Sequence, residues 1–284
     1  MKKLFVAKNI GFCFGVKRTV EMAERLLAEY GEIYSTGDIV HNPLVMDALK
    51  AKGLKVVKKT AEIKGERFIV RSHGIGIDVF VYLEKRGIKV FDATCPSVKK
   101  IQSLIKKLDN RKYSIIIIGN EQHPEVIGLK KHGKNTVVFG GSCSPVKIKK
   151  SERVAVIGQT TLSFDEYIRR IRCLMELSPG REVVVYNTIC KVTGERQKEA
   201  VEISKKADAV FVLGGRHSSN TAKLFETVKK HNRRAFYIEQ MKDIEGISLA
   251  GINSIGLVSG TSTSDGFISE VKKYIKKKRY REVQ

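Results

Sequence analysis

Ile88-Lys89-Val90-Phe91-Asp92-Ala93-Thr94-Cys95 decides the fold, because the chain uses the same order twice more. In each case a β-rich run leads through small or polar residues to a cysteine. Leu4-Phe5-Val6 leads to Cys13, and Val183-Val184-Val185-Tyr186 leads to Cys190. A helical pattern follows each cysteine. Three, ten and thirteen residues further on stand Val16, Ala23 and Leu26 in the first copy. The same offsets give Val98, Ile105 and Leu108 in the second, and Thr193, Ala200 and Ile203 in the third. Separations of seven and three put such residues on one helix face.

Working outward, each copy opens a strand 19 residues past its cysteine: Glu32-Ile33-Tyr34, the Ile115–Ile118 run after Ser114, and Ala209–Leu213. At an offset of 28 stand His41, His123 and Ser218, read as polar residues at the ends of these strands. A helix (from Pro43, Glu125 or Thr221) and a second strand (54–57, 136–139, 235–238) follow. A third strand then runs into Ser72-His73-Gly74, Gln159-Thr160-Thr161 or Ser259-Gly260-Thr261-Ser262. A last helix closes each copy, over roughly 76–86, 163–177 and 265–278. Alternating strands and helices with short links predict an α/β fold with parallel sheets, in which ligands sit at strand carboxyl ends near helix N-termini. The expectation is three similar αβα domains with pseudo-threefold symmetry: 14–94, 95–189 and 190–284. The N-terminal strand, residues 1–13, would complete the third.

The 284 residues, 42% hydrophobic and 29% charged, are those of a soluble globular protein. The apolar runs are too short to span a membrane. The run after Met1-Lys2-Lys3 is also too short for a signal peptide, which predicts a cytoplasmic protein. That compartment argues against structural disulfides among the five cysteines. A formal charge of +23 favours nucleic acid, an anionic small molecule or an acidic partner, or reflects a solvated lysine-rich surface. Aromatic content of 7%, without Trp, supplies no basic–aromatic tract for nucleic acid.

Cys13, Cys95 and Cys190 share one place in the repeat and are read as ligands of one metal centre. Cys143 and Cys173 do not share it and are read as non-ligands. Thiolates suit both zinc and iron–sulfur clusters, and spacing leaves both open. The residues expected beside this centre are His41, His73, His123, Thr160, Thr161, Ser218, Asn220, Ser262 and Glu125. Their donors, with helix N-termini, suit a phosphate or diphosphate, and no GxxxxGK[ST] loop is present. Glu125 opens a helix, and spacing leaves it either a proton donor or a carboxylate that steadies the helix dipole. His132 and His231 read as surface residues.

The ordered series Gly11-Phe12-Cys13, Val40-His41-Asn42, Ser72-His73-Gly74, Asp92-Ala93-Thr94-Cys95-Pro96, His123-Pro124-Glu125-Val126, Gln159-Thr160-Thr161, Ile189-Cys190, Arg196-Gln197, Ser218-Ser219-Asn220 and Ser259-Gly260-Thr261-Ser262 covers essentially the whole chain. It resembles the LytB-type family of 4-hydroxy-3-methylbut-2-enyl diphosphate reductases of the non-mevalonate isoprenoid pathway. The resemblance implies an oxidoreductase that removes the allylic hydroxyl of its substrate, giving isopentenyl and dimethylallyl diphosphates. It implies three domains around a central [4Fe–4S] cluster held by Cys13, Cys95 and Cys190, with one iron open to substrate. Loss of that apical iron would leave a [3Fe–4S] form. By matching positions, His41, His73, His123, Ser218, Ser219, Asn220 and Ser262 would bind the diphosphate region, and Glu125 would supply protons. Thr161 is favoured as the contact near the hydroxymethyl group, with Thr160 left open. The implied partners are the allylic diphosphate and an acidic electron donor such as ferredoxin or flavodoxin, with no nucleic acid or membrane. A hydro-lyase that uses an open iron without redox change is the rival; turnover without reductant would favour it.

Overall fold

The computed structural model describes residues 2–141, 153–176 and 182–283. In chain order the strands are β1 (Lys2–Val6), β2 (Ile33–Thr36), β3 (Leu54–Val57), β4 (Arg67–Val70), β5 (Lys89–Asp92), β6 (Ser114–Ile118) and β7 (Thr136–Phe139). They continue with β8 (Arg153–Gly158), β9 (Glu182–Tyr186), β10 (Ala209–Leu213), β11 (Ala235–Ile238), β12 (Ser254–Ser259) and β13 (Tyr280–Val283). The helices are α1 (Phe14–Tyr30), α2 (Pro43–Ala51), α3 (Ile77–Lys85), α4 (Pro96–Asn110) and α5 (Pro124–Lys130). They continue with α6 (Phe164–Glu176), α7 (Lys191–Lys206), α8 (Ser219–His231), α9 (Met241–Glu245) and α10 (Asp265–Lys277).

The chain divides into two compact units. One holds Met1–Lys17, Val40–Met46 and Lys191–Gln284; the other holds Arg18–Ile39 and Asp47–Cys190. The second unit carries two parallel sheets, β3-β2-β4-β5 and β7-β6-β8-β9. The first carries one, β11-β10-β12-β1-β13, also parallel. The three orders are one pattern. Each places the copy's first strand between its second and third, and then adds the strand that leads into the next cysteine. In the first unit that added strand is β1, paired with β12 from Lys3↔Ser254 to Val6↔Leu257.

The predicted helix faces are buried. Ala23, Leu26, Val98, Ile105, Leu108, Thr193, Ala200 and Ile203 are all at most 8% exposed, and Val16 is half-buried. The isoleucines of β6 lie at the centre of their sheet with no exposed surface. Such a strand, covered on both faces, reads as a continuous apolar run rather than an alternation. Each of those side chains contributes roughly 1.5–3 kcal/mol by leaving water.

The edge strand β13 lies beyond anything the periodicity predicts. Arg279, at φ 66°, turns the chain back after α10. Tyr280 is buried and its hydroxyl donates to the Ile252 carbonyl at 2.7 Å. Lys272 and Lys276 each lie 2.9 Å from a Glu282 carboxylate oxygen, and their bonds hold that carboxyl below its ordinary range. Two cations of the lysine-rich stretch 272–279 therefore pair within the chain. A short strand of four residues, two of them charged (Arg281 and Glu282), suits an edge that must not recruit another strand.

Candidate functional site

Each cysteine stands immediately before a helix: Cys13 before α1, Cys95 before α4, Cys190 before α7. None of the three is in a disulfide, and all are half-buried. Each backbone N–H donates to the carbonyl two residues past the third strand of a sheet: Cys13 to Thr261 at 3.1 Å, Cys95 to Ser72 at 2.9 Å, Cys190 to Thr160 at 2.9 Å. Cys13 lies in one unit, Cys95 and Cys190 in the other. Among the described residues, no three His, Cys, Asp or Glu are gathered as a metal site. The donor chemistry nevertheless suits a soft metal centre, because three cysteines outside any disulfide occupy one repeated local position.

Contrary to expectation, the residues at offset 28 do not end their strands. They stand five residues further on, at helix starts. His123 caps α5 and Ser218 caps α8, while at the third place Asn42 takes the cap and His41 precedes it. A strand end and a helix start are alike in polarity, so spacing could not separate them.

In the second unit, Glu125 lies in the first turn of α5 and is 1% exposed. Its Oε1 accepts from the Thr160 backbone N–H at 2.8 Å, and its Oε2 accepts from Thr160 Oγ1 at 2.6 Å. Burial pushes its carboxyl above the usual range, and the two Thr160 bonds pull the other way without cancelling that rise. The Thr160 backbone thus donates to Glu125 through its N–H and accepts from the Cys190 N–H through its carbonyl. His123 Nδ1 accepts from Glu125 N at 3.2 Å, so a neutral His123 carries its proton on Nε2. The His73 and His123 rings meet edge to face at 5.2 Å. Gln159 accepts from Asn120 N at 3.0 Å and donates to Thr161 Oγ1 at 3.0 Å.

In the first unit, the α8 N-terminus brings Ser218, Ser219 and Asn220 together, and Asn42 Nδ2 donates to the Ser262 carbonyl at 3.1 Å. Asn220 Nδ2 and Ser262 Oγ are buried and make no hydrogen bond among the described residues. Buried donors rarely stay so, and beside a helix N-terminus they suit an anion. The Ser262 loop is close-packed. A Cβ on Gly260 would lie 1.9 Å from Thr221 Oγ1 and 3.3 Å from Thr221 Cα. Gly260→Ala is expected to cost about 1–3 kcal/mol by overpacking, read as a lower urea midpoint; an unchanged midpoint would contradict this packing.

Two sequence readings need correction, and one residue was passed over. His132 is buried, its Nε2 3.1 Å from the Ile75 carbonyl; an isolated histidine carries no sign of the face it occupies. Cys173 is disulfide-bonded, against the expectation for this chain, since that rested on compartment while pairing depends on which thiols folding brings together. Arg196, quoted only as part of a motif, is 5% exposed. Its signal was available: it shares the apolar helix face of Thr193, Ala200 and Ile203. His217 is exposed, and the reading of Cys143 lies outside the described residues.

Three repeated parallel sheets, with thiols, imidazoles, hydroxyls and a buried carboxyl beyond their strand ends, define an α/β protein of the enzyme type. The family model described as LytB protein matches residues 4–276, and the chain belongs to that family. It is 37% identical over 274 residues to the 4-hydroxy-3-methylbut-2-enyl diphosphate reductase of Dictyoglomus thermophilum, covering 96% of each chain. It is similar to a solved (E)-4-hydroxy-3-methyl-but-2-enyl diphosphate reductase, described as the terminal enzyme of the non-mevalonate pathway, with TM-score 0.72 and 34% identity. That match covers 98% of this chain and 100% of the other. The solved reductase of Plasmodium falciparum matches with TM-score 0.86 and 27% identity, covering 96% of this chain and 87% of that one.

Proposed function

We propose that this chain reductively removes the allylic hydroxyl of (E)-4-hydroxy-3-methylbut-2-enyl diphosphate. Two electrons and two protons are taken up, water leaves, and isopentenyl and dimethylallyl diphosphates form. One observation carries the reading. Glu125, a buried carboxyl with a raised affinity for its proton, is held by the same residue, Thr160, that holds the Cys190 backbone. A proton store is thereby tied to a thiol of the expected metal centre. The domain division 14–94, 95–189 and 190–284 with 1–13 belongs to this proposal, each of the three cysteines standing at a boundary between domains.

Cys13, Cys95 and Cys190 would hold a [4Fe–4S] cluster, with a [3Fe–4S] form if its apical iron is lost. When bound, such a cluster supplies single electrons and an open coordination position. Glu125 gives its proton toward the leaving oxygen, and the Thr160 hydroxyl, which can donate or accept, keeps the carboxyl in place in either state. Two sets of equivalent positions would bind the substrate. His41, His123 and Ser218 lie five residues past the first strands, and His73, Thr161 and Ser262 lie three past the third. His123 offers Nε2–H, and Asn220, Ser219 and the α8 N-terminus add donors for the diphosphate. The equivalence of Thr161 with His73 and Ser262 supports Thr161 as the substrate contact, while Thr160 serves Glu125.

The electron donor would be an acidic protein such as a ferredoxin or flavodoxin, drawn to a chain of formal charge +23. No nucleic-acid or membrane partner is proposed. No helix among the described residues is long and apolar enough to cross a membrane, and the proposed compartment is the cytoplasm. The test is an anaerobic assay of the purified protein with this substrate. Both isomers should form only when a reductant is supplied. Release of water without reductant would favour the hydro-lyase instead.

A further inference from the structure

We propose that Arg196 is a positioning residue that holds the loop carrying Cys13 and the loop carrying Ser262 in one register. This inference rests on the cluster reading above. Arg196 lies inside the first unit, and its guanidinium reaches three backbone carbonyls. Nη2 donates to Gly11 at 2.7 Å, and Nη1 donates to Ser259 and to Gly260, each at 3.0 Å. Gly11 stands two residues before Cys13, and Ser259 and Gly260 stand just before Ser262. Two further bonds cross between the same loops: Gly11 N–H donates to Ser259 Oγ at 2.9 Å, and Cys13 N–H donates to Thr261 O.

The geometry of Gly11 shows how little freedom the turn has. It adopts φ +86°, and a Cβ there would lie 2.4 Å from Asp265 Oδ1. A planar fork of charged donors is needed to hold both loops at once, and lysine, a single point donor, is not its equivalent.

The repeat supplies independent support. Arg196 stands six residues past Cys190. The residue six past Cys13 is Thr19, and its hydroxyl donates to the Ala93 carbonyl at 3.1 Å. Ala93 stands two residues before Cys95, as Gly11 stands two before Cys13. Both copies use the same helix position to fix the approach to the next cysteine. At Arg196 the side chain is long enough to take in a second loop as well.

The experiment compares anaerobically purified wild-type protein, Arg196→Met, Arg196→Lys and Val228→Ala. Val228 is fully buried in the same unit and packs with Ala200 and Leu224, so its truncation weakens the unit without touching either loop. Iron release to a chelator, the electron paramagnetic resonance signal of the reduced protein and thermal midpoints are recorded. Arg196→Met should hold iron about 10- to 100-fold less tightly, the loss typical when a group that orients metal ligands is removed, with an altered signal. Arg196→Lys, which keeps the charge, should fall between it and wild type, and carries the test if Arg196→Met does not fold. Wild-type iron retention and signal in Arg196→Lys and in any folded Arg196→Met would overturn the proposal. So would equal iron loss in Val228→Ala at a matched thermal midpoint. Full iron retained in Cys95→Ser would instead remove the cluster reading on which the proposal stands.

Discussion

Glu125→Gln is expected to lower turnover about 10²- to 10⁴-fold, the usual contribution of a positioned acid, while leaving the iron content and the substrate KM near wild type. The amide can keep both Thr160 contacts: Oε1 accepts from the backbone N–H, and Nε2 donates to Oγ1. The shape of the site survives and only the transferable proton is lost. Steady-state rates under excess reductant, with iron quantified on the same samples, make the comparison. Turnover within a few-fold of wild type would refute the proton-donor role.

The same variant carries a stability signature. Burial raises the Glu125 carboxyl, so between its ordinary value and its raised one the folded protein keeps a proton that the unfolded chain has released. That contribution to stability is fully present below the ordinary value and is lost as pH climbs through the raised one. Glutamine has no such proton, so the stability of wild type relative to Glu125→Gln should decline over that window. Thermal melts at a series of pH values test this, and parallel curves would contradict it.

Cys95→Ser should remove the iron and the visible absorbance of the anaerobically purified protein while leaving the fold intact. Cys95 is the N-cap residue of α4, and its N–H is bonded to Ser72 O. Serine is a favoured N-cap and retains that backbone bond. Loss of iron would therefore report on the sulfur and not on a damaged helix. Circular dichroism and a thermal melt verify the fold; iron, sulfide and absorbance report the centre. Full absorbance would sink the assignment of this thiol as a ligand.

Much of this was legible in the sequence because it is local. A helix face repeats every three to four residues and a buried strand is a continuous apolar run, so three strand–helix copies and their cysteines could be aligned by counting. What failed was also specific. The strand Tyr280–Val283 was hidden within a charged tail, since its order depends on β1 beside it and on the Glu282 pairs with Lys272 and Lys276. The offset of 28 was seen, but its meaning changed from a strand end to a helix start. His132 was misjudged because burial of a single side chain leaves no periodicity.

By itself the sequence determined the order of elements, the equivalence of Cys13, Cys95 and Cys190, and the residue types gathered beyond the strands. These follow from covalent spacing and from the periods of helix and strand. Only the tertiary structure decided which strand pairs with which, that Thr160 rather than Thr161 holds Glu125, and that Arg196 ties the Cys13 loop to the Ser262 loop. The last two are hydrogen bonds between groups 35 to 185 residues apart. No local pattern specifies them, because each exists only once burial has brought distant backbone groups within reach and left them no water as an alternative partner.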